Sequence, residues 1–123
     1  MLGTDEQLEL GLENEAATCQ AHGIEFIALP VPDLRAPIDS SEFVQAVREL
    51  AAMLRGGTSV AVHCRQSVGR SGLLAVAIAV AVGVPLETAI REGSAARGVR
   101  VPETTVQSDW LRQDVVQLSE LAG

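Results

Sequence analysis

Apolar positions fall into blocks of two periods along the chain, and the blocks predict the elements. Thr4-Asp5-Glu6-Gln7 opens like a helix, with Thr4 or Asp5 as N-cap and acids in the first turn. Leu8, Leu10 and Leu12 are followed by Ala16, Ala17 and Cys19, so the segment reads as helical up to His22-Gly23. Gly11 weakens its middle and allows two short helices. Ile24-Glu25-Phe26-Ile27-Ala28-Leu29 alternates in part and is flanked by Gly and Pro, which favours a strand. Pro30 to Pro37 is a proline-punctuated surface loop. From Ser40 to Arg55, Phe43, Val47, Leu50 and Leu54 recur at three- and four-residue steps, an amphipathic helix stopped by Gly56-Gly57.

The second half repeats the alternation of types. Ser59-Val60-Ala61-Val62 is a short β-branched run and reads as a buried strand. Leu73 to Val82 is apolar all round and ends at Gly83, the pattern of a buried helix. Pro85 starts another helix with Leu86, Ala89 and Ile90 inward, ending over Ala95-Ala96-Arg97-Gly98. The last helix runs from Thr104 to about Leu121, with Val106, Trp110, Val115 and Leu118 facing the core and Trp110 as a packing residue.

Candidate chemistry sits between the Ser59–Val62 run and the buried helix. Cys64 opens that loop and Arg70 closes it, with five residues between. Backbone N–H groups at a helix start lack intrahelical partners, and the helix dipole adds positive potential there. A thiol facing such groups and a guanidinium ionises more readily. Arginine presents a planar fork of donors that matches two oxygens of a phosphoryl group. Nucleophile and electrostatic clamp thus share one loop around one tetrahedral anion.

Composition narrows the classes. At 123 residues and 47% hydrophobic, the chain is predicted to be one globular domain over 1–123. A net charge of −7 argues against a nucleic-acid partner. The apolar run between Gly72 and Pro85 is shorter than the roughly 18 residues a bilayer span needs, so no membrane partner is expected. Met1 to Glu15 is acidic and has no signal-peptide pattern, which makes a cytoplasmic location the default. Cys19 and Cys64 make no disulfide framework, and a reactive thiol needs a reducing compartment. Cys19 reads as a buried structural thiol. Two Cys and two His scattered in this way give no closed zinc site, so no metal is expected. Composition leaves the oligomeric state open.

His63-Cys64-x5-Arg70-Ser71, with Val60-Ala61-Val62 before it and an apolar helix after it, resembles the signature of the cysteine-dependent protein tyrosine phosphatase superfamily, in its compact dual-specificity-like form. The resemblance runs from Thr4 to about Leu118. It implies an α/β fold, a small mainly parallel sheet flanked by helices. Similar domains carry a strand before the helix that corresponds to Thr4–His22, so the sheet here is expected to be shortened at its N-terminal side. An upstream start, a partner that supplies pairing, and a rearranged fold all remain open.

The resemblance also implies a reaction, hydrolysis of a phosphate monoester through a phosphocysteine. Cys64 is the nucleophile, and Arg70 with the backbone N–H groups of Arg65, Gln66, Ser67, Val68, Gly69 and Arg70 holds the phosphoryl oxygens. Asp33, on the proline-rich loop and followed by Pro37, matches the general acid; Asp39 is its rival and more simply an N-cap. Gln107 matches a glutamine that orients the hydrolytic water. Ser71 is placed to assist departure of the sulfur, and His63 to hold the loop and tune Cys64. No organic cofactor is implied, and the partner is a phosphorylated protein or small molecule. Arg35, Arg65, Arg97 and Arg100 either rim the pocket or are solvated surface.

One departure points to a different class. Related loops usually carry glycine three residues after the cysteine, and here that residue is Ser67, with Gln66 beside it. Where φ must be positive, Ser costs on the order of 1 kcal/mol relative to Gly. The alternative is therefore a weak or inactive phosphate-binding pseudophosphatase. Other cysteine-loop oxyanion chemistry, arsenate reduction or sulfur transfer, ranks below both, because the only further thiol is Cys19.

Overall fold

A computed structural model describes residues 1–65 and 68–121, apart from the side chains of residues 115 and 116. Six helices follow in chain order: α1 (Thr4–Glu9), α2 (Glu15–Ala21), α3 (Ser40–Arg55), α4 (Arg70–Ala81), α5 (Leu86–Arg97) and α6 (Thr105–Glu120). The centre is α4. Its all-round apolarity is used on every side, since α3, α5 and α6 all pack against it and most of its residues, Leu73, Leu74, Val76, Ala77, Ile78, Val80 and Ala81 among them, are buried.

The helix boundaries follow local chemistry. Asp39 caps α3 by accepting from the Glu42 N–H at 3.1 Å, which commits this carboxylate to a structural task. Thr104 caps α6 by accepting from the Gln107 N–H at 3.3 Å, and the Gln107 side chain reaches back to the Thr104 N–H at 3.2 Å. Gly11, at φ 71°, separates α1 from α2. Gly72 serves close approach: a Cβ there would lie 2.5 Å from Val101 Cγ1. Where α3 and α6 meet, Phe43 and Trp110 pack edge to face at 4.9 Å, and the Trp110 indole N–H donates to Ser40 Oγ at 3.0 Å. Arg55, ending α3, donates to the carbonyl oxygens of Ala81 at 2.5 Å and Leu121 at 3.1 Å, tying together the chain ends of α4 and α6.

The expected α/β architecture is not found. Among the described residues there is no strand, and neither Ile24–Leu29 nor Ser59–Val62 forms one, so a mainly parallel sheet flanked by helices is overturned. A strand exists only against a neighbour about 4.7–4.9 Å away that completes its hydrogen-bond ladder. Here both runs instead line a cavity of about 510 Å³. Among the described residues, backbone bonds touch only their borders, from Ile24 N–H to Cys19 O, from Val31 N–H to Met1 O and from Thr58 N–H to Met53 O. Val60 and Val62 also line a second cavity, of about 600 Å³, bordered by α4 and α5.

Smaller expectations also shift. Leu54 and Val106 are exposed, Leu54 at the last turn of α3 and Val106 at the first of α6. Trp110 and Leu118 are buried as expected, whereas Val115 lies outside the described side chains. Cys19 is half-buried on the wall of the smaller cavity. Neither α1 nor α2 contains a buried residue, so the apolar anchors Met1 and Leu2, together with polar contacts described below, hold this N-terminal segment to the rest. Among the described residues no helix is long and apolar enough to cross a membrane.

Candidate active site

The loop from His63 to Ser71 delivers its groups to the N-terminal end of α4. Cys64 is buried, and its Sγ lies 3.4 Å from the Ser71 hydroxyl, one position into the helix. As a thiol the sulfur donates to that oxygen; as a thiolate it accepts from it. Gly69 is the N-cap of α4, and a Cβ on it would come within 3.1–3.3 Å of the Glu103 carboxylate and the Gln107 amide, so the loop passes close against α6. The first N–H groups of α4 stand outside the helix's own ladder, as they do in any helix. Gln66 and Ser67 lie outside the described residues, so the Ser67 departure has no structural account.

Arg70 is the hub. Its side chain is fully enclosed. Nη1 donates to Glu6 Oε1 at 2.7 Å, to Val31 O at 3.2 Å and to Met1 O at 3.3 Å. Nη2 donates to Glu6 Oε2 at 2.9 Å and lies 3.4 Å from Asp33 Oδ1. Nε is buried and has no hydrogen-bond partner among the described residues. The hydrogen bonds to Arg70 pull the Glu6 carboxyl down to about 2, against the cost of its desolvation. The same hydrogen bonds raise the Arg70 guanidinium further above its ordinary value.

Asp33 is exposed and reaches the site through a turn. Leu34, the next residue, has φ 63°, the left-handed region that costs a side-chain-bearing residue roughly 1–2 kcal/mol. The turn is held at both ends: the Leu34 N–H donates to Asp33 Oδ1 at 3.0 Å, and the Leu34 carbonyl accepts from Thr104 Oγ1 at 3.1 Å. The strain sits where a carboxylate is brought to the arginine of the loop.

Other expected site residues are placed differently. Gln107 is fully buried, and its Nε2 donates to Arg35 O at 3.2 Å while its Oε1 serves the α6 cap, so it ties the Asp33 loop to α6 beside Gly69. Arg65 turns outward to Glu9, with N–O distances of 3.2 and 3.4 Å. His63 faces Glu15 through Nε2 at 2.5 Å, and its Nδ1 lies 3.3 Å from Cys64 O. Val68 is half-buried. Arg97 lines the larger cavity, together with Ser71. Among the described residues no group of three or more His, Cys, Asp or Glu could hold a metal ion.

Three carboxylates were not singled out from the sequence. Glu6, Glu9 and Glu15 each meet one side chain of the loop, Arg70, Arg65 and His63 respectively. In the sequence they read as helix-start acids or surface charge. Nothing in their spacing announces partners dozens of residues away.

The profile of the family described as "Polymorphic toxin system, DSP-PTPase phosphatase" matches residues 4–84. The chain belongs to this DSP-PTPase phosphatase family. The matched span holds α1 to α4, and with them Glu6, Asp33, Cys64, Arg70 and Ser71; Gln107 falls outside it. The chain is also 28% identical to a protein of Invertebrate iridescent virus 6 named "Putative tyrosine phosphatase 197R", over 89% of this chain and 42% of that relative. It thus spans less than half the length of the curated relative. Membership in the DSP-PTPase family bears out the resemblance to cysteine-dependent protein tyrosine phosphatases.

Proposed function

We propose that this DSP-PTPase domain hydrolyses phosphate monoesters of proteins or small molecules through a phosphocysteine on Cys64. The observation that carries this reading is the buried Nε of Arg70, unmatched among the described residues, at the start of the helix whose second residue contacts the Cys64 sulfur. A buried charged donor left unpaired is costly, and a phosphoryl oxygen would complete it.

In the first step the Cys64 thiolate attacks phosphorus, an S–P bond forms, and the bond from phosphorus to the ester oxygen breaks. Asp33 passes its proton to the departing oxygen. In the second step a water oxygen attacks phosphorus and the S–P bond breaks. The water's proton goes to Asp33, and the sulfur leaves as a thiolate that accepts a hydrogen bond from Ser71. The net change is ester plus water to alcohol plus inorganic phosphate. Throughout, Arg70 and the N–H groups of the loop hold the phosphoryl oxygens, whose charge reorganises in the transition state.

His63 holds the carbonyl side of Cys64 and is itself held by Glu15. Gln107, with both amide ends engaged, holds the Asp33 loop against α6. Release of phosphate from para-nitrophenyl phosphate tests the reading. Cys64→Ser is expected to abolish turnover while the fold persists, and a Cys64→Ser protein as active as the parent removes the nucleophile. Comparing phosphotyrosine, phosphoserine, nucleotide and inositol phosphate substrates then assigns the type.

A further inference from the structure

The donor count of Arg70 points to a role for a residue outside the loop. A guanidinium has five N–H donors and two edges that can each hold a pair of oxygens, the end-on edge of Nη1 with Nη2 and the side-on edge of Nε with Nη2. Glu6 takes the end-on edge with both carboxylate oxygens, at 2.7 and 2.9 Å. The remaining Nη1 capacity goes to Val31 O and Met1 O. Among the described residues the side-on edge has only Asp33, at 3.4 Å from Nη2, and nothing on Nε.

We propose that Glu6 is a positioning residue: it holds Arg70 by its outer edge, so that the Nε–Nη2 edge is presented to the phosphoryl oxygens. This rests on the phosphatase reading of the site. Glu6 does not compete with the substrate, because it uses the opposite edge. Its own placement is determined locally, since Glu6 Oε1 also accepts from the Gly3 N–H at 3.3 Å and Leu2 is buried just before the helix. An arginine side chain has several rotatable bonds, and fixing it by a two-point contact removes freedom that would otherwise be lost on binding substrate.

Glu6→Gln keeps the shape and removes the charge. It is expected to lower kcat/KM for para-nitrophenyl phosphate by about tenfold to a hundredfold, the scale of a misplaced positioning contact. Inhibition by orthovanadate should weaken by a similar factor. The far-UV circular dichroism spectrum should stay unchanged, which a general loss of structure would not allow. Glu6→Asp, one methylene shorter but charged, should recover part of the loss. Glu13→Gln, the same charge change between α1 and α2, should match the parent.

Glu6→Gln with undiminished turnover, or with tighter vanadate binding, overturns the proposal; the second result would make the carboxylate a competitor. If Cys64→Ser and Arg70→Ala abolish turnover but Glu6→Gln does not reduce it, the positioning role alone falls. If Cys64→Ser stays active, the phosphatase reading falls with it. Should Glu6→Gln fail to fold, the parent decides: the Arg70 Nε–H signal in a nitrogen-edited NMR spectrum should shift on adding orthovanadate. A signal that does not move overturns the edge assignment.

Discussion

The Cys64 sulfur and the Ser71 hydroxyl lie 3.4 Å apart, both buried, across the junction of the loop and α4. In the mechanism proposed above, the contact joins the sulfur that leaves in the second step to a donor placed to stabilise its charge. A hydrogen bond to a charged acceptor contributes about 1.5–3 kcal/mol.

Ser71→Ala is therefore expected to slow thiolate departure more than its formation. The overall kcat should fall by about tenfold or more. Rapid-mixing kinetics should show a burst of alcohol release, with phosphorylated Cys64 accumulating. Slow alcohol release without a burst would place Ser71 in the first step instead.

Asp33→Asn tests the acid. An aryl phosphate with a good leaving group needs little protonation, whereas an alkyl or phenyl phosphate needs much. The variant should lose activity on the poor leaving group by a factor of about 10² more than on the good one. Equal losses on both would reassign Asp33 to holding Arg70.

Helix positions were legible in the sequence because their signals are local. The Phe43–Val47–Leu50 spacing, the Asp39 cap and the Gly98 stop need no knowledge of the rest of the chain. The cysteine loop was legible for the same reason: Cys64, Arg70 and Ser71 lie on one loop and one helix turn. The sheet was misread because strand propensity belongs to a single run and a strand belongs to a pair. Val60 and Val62 carry the propensity, but no neighbour within the described chain completes their ladder. Glu6 was missed because its partner Arg70 is 64 residues away, and only the fold brings them together.

Gly72 is where packing overrides helix propensity. Alanine in place of glycine inside a helix would ordinarily gain about 1 kcal/mol. Here its Cβ would meet Val101 Cγ1 at 2.5 Å, beside the backbone of Pro102. Overpacking of this kind costs about 1–3 kcal/mol, so Gly72→Ala should lower the denaturation midpoint. Adding Val101→Ala removes the clashing methyl groups, and the double variant should recover stability relative to the Val101→Ala single variant. If Gly72→Ala is stabilising by itself, the close approach is looser than this geometry requires.

The pair of Glu6 and Arg70 also sets an acid limit on stability. The folded carboxyl is held at about 2, below its ordinary value of 4.5, chiefly by the hydrogen bonds from Arg70. A depressed carboxyl contributes its full stabilisation above the unfolded value and loses it as pH falls toward the folded one. After solvent screening of a partly exposed carboxylate, roughly 1–2 kcal/mol is involved. Urea unfolding of the parent between pH 5.5 and 2.5 should show this loss, concentrated below about 4.5. Glu6→Gln should start less stable at pH 5.5 and lose less across the same window. A Glu6→Gln variant that loses as much stability as the parent across that window would remove Glu6 from this role.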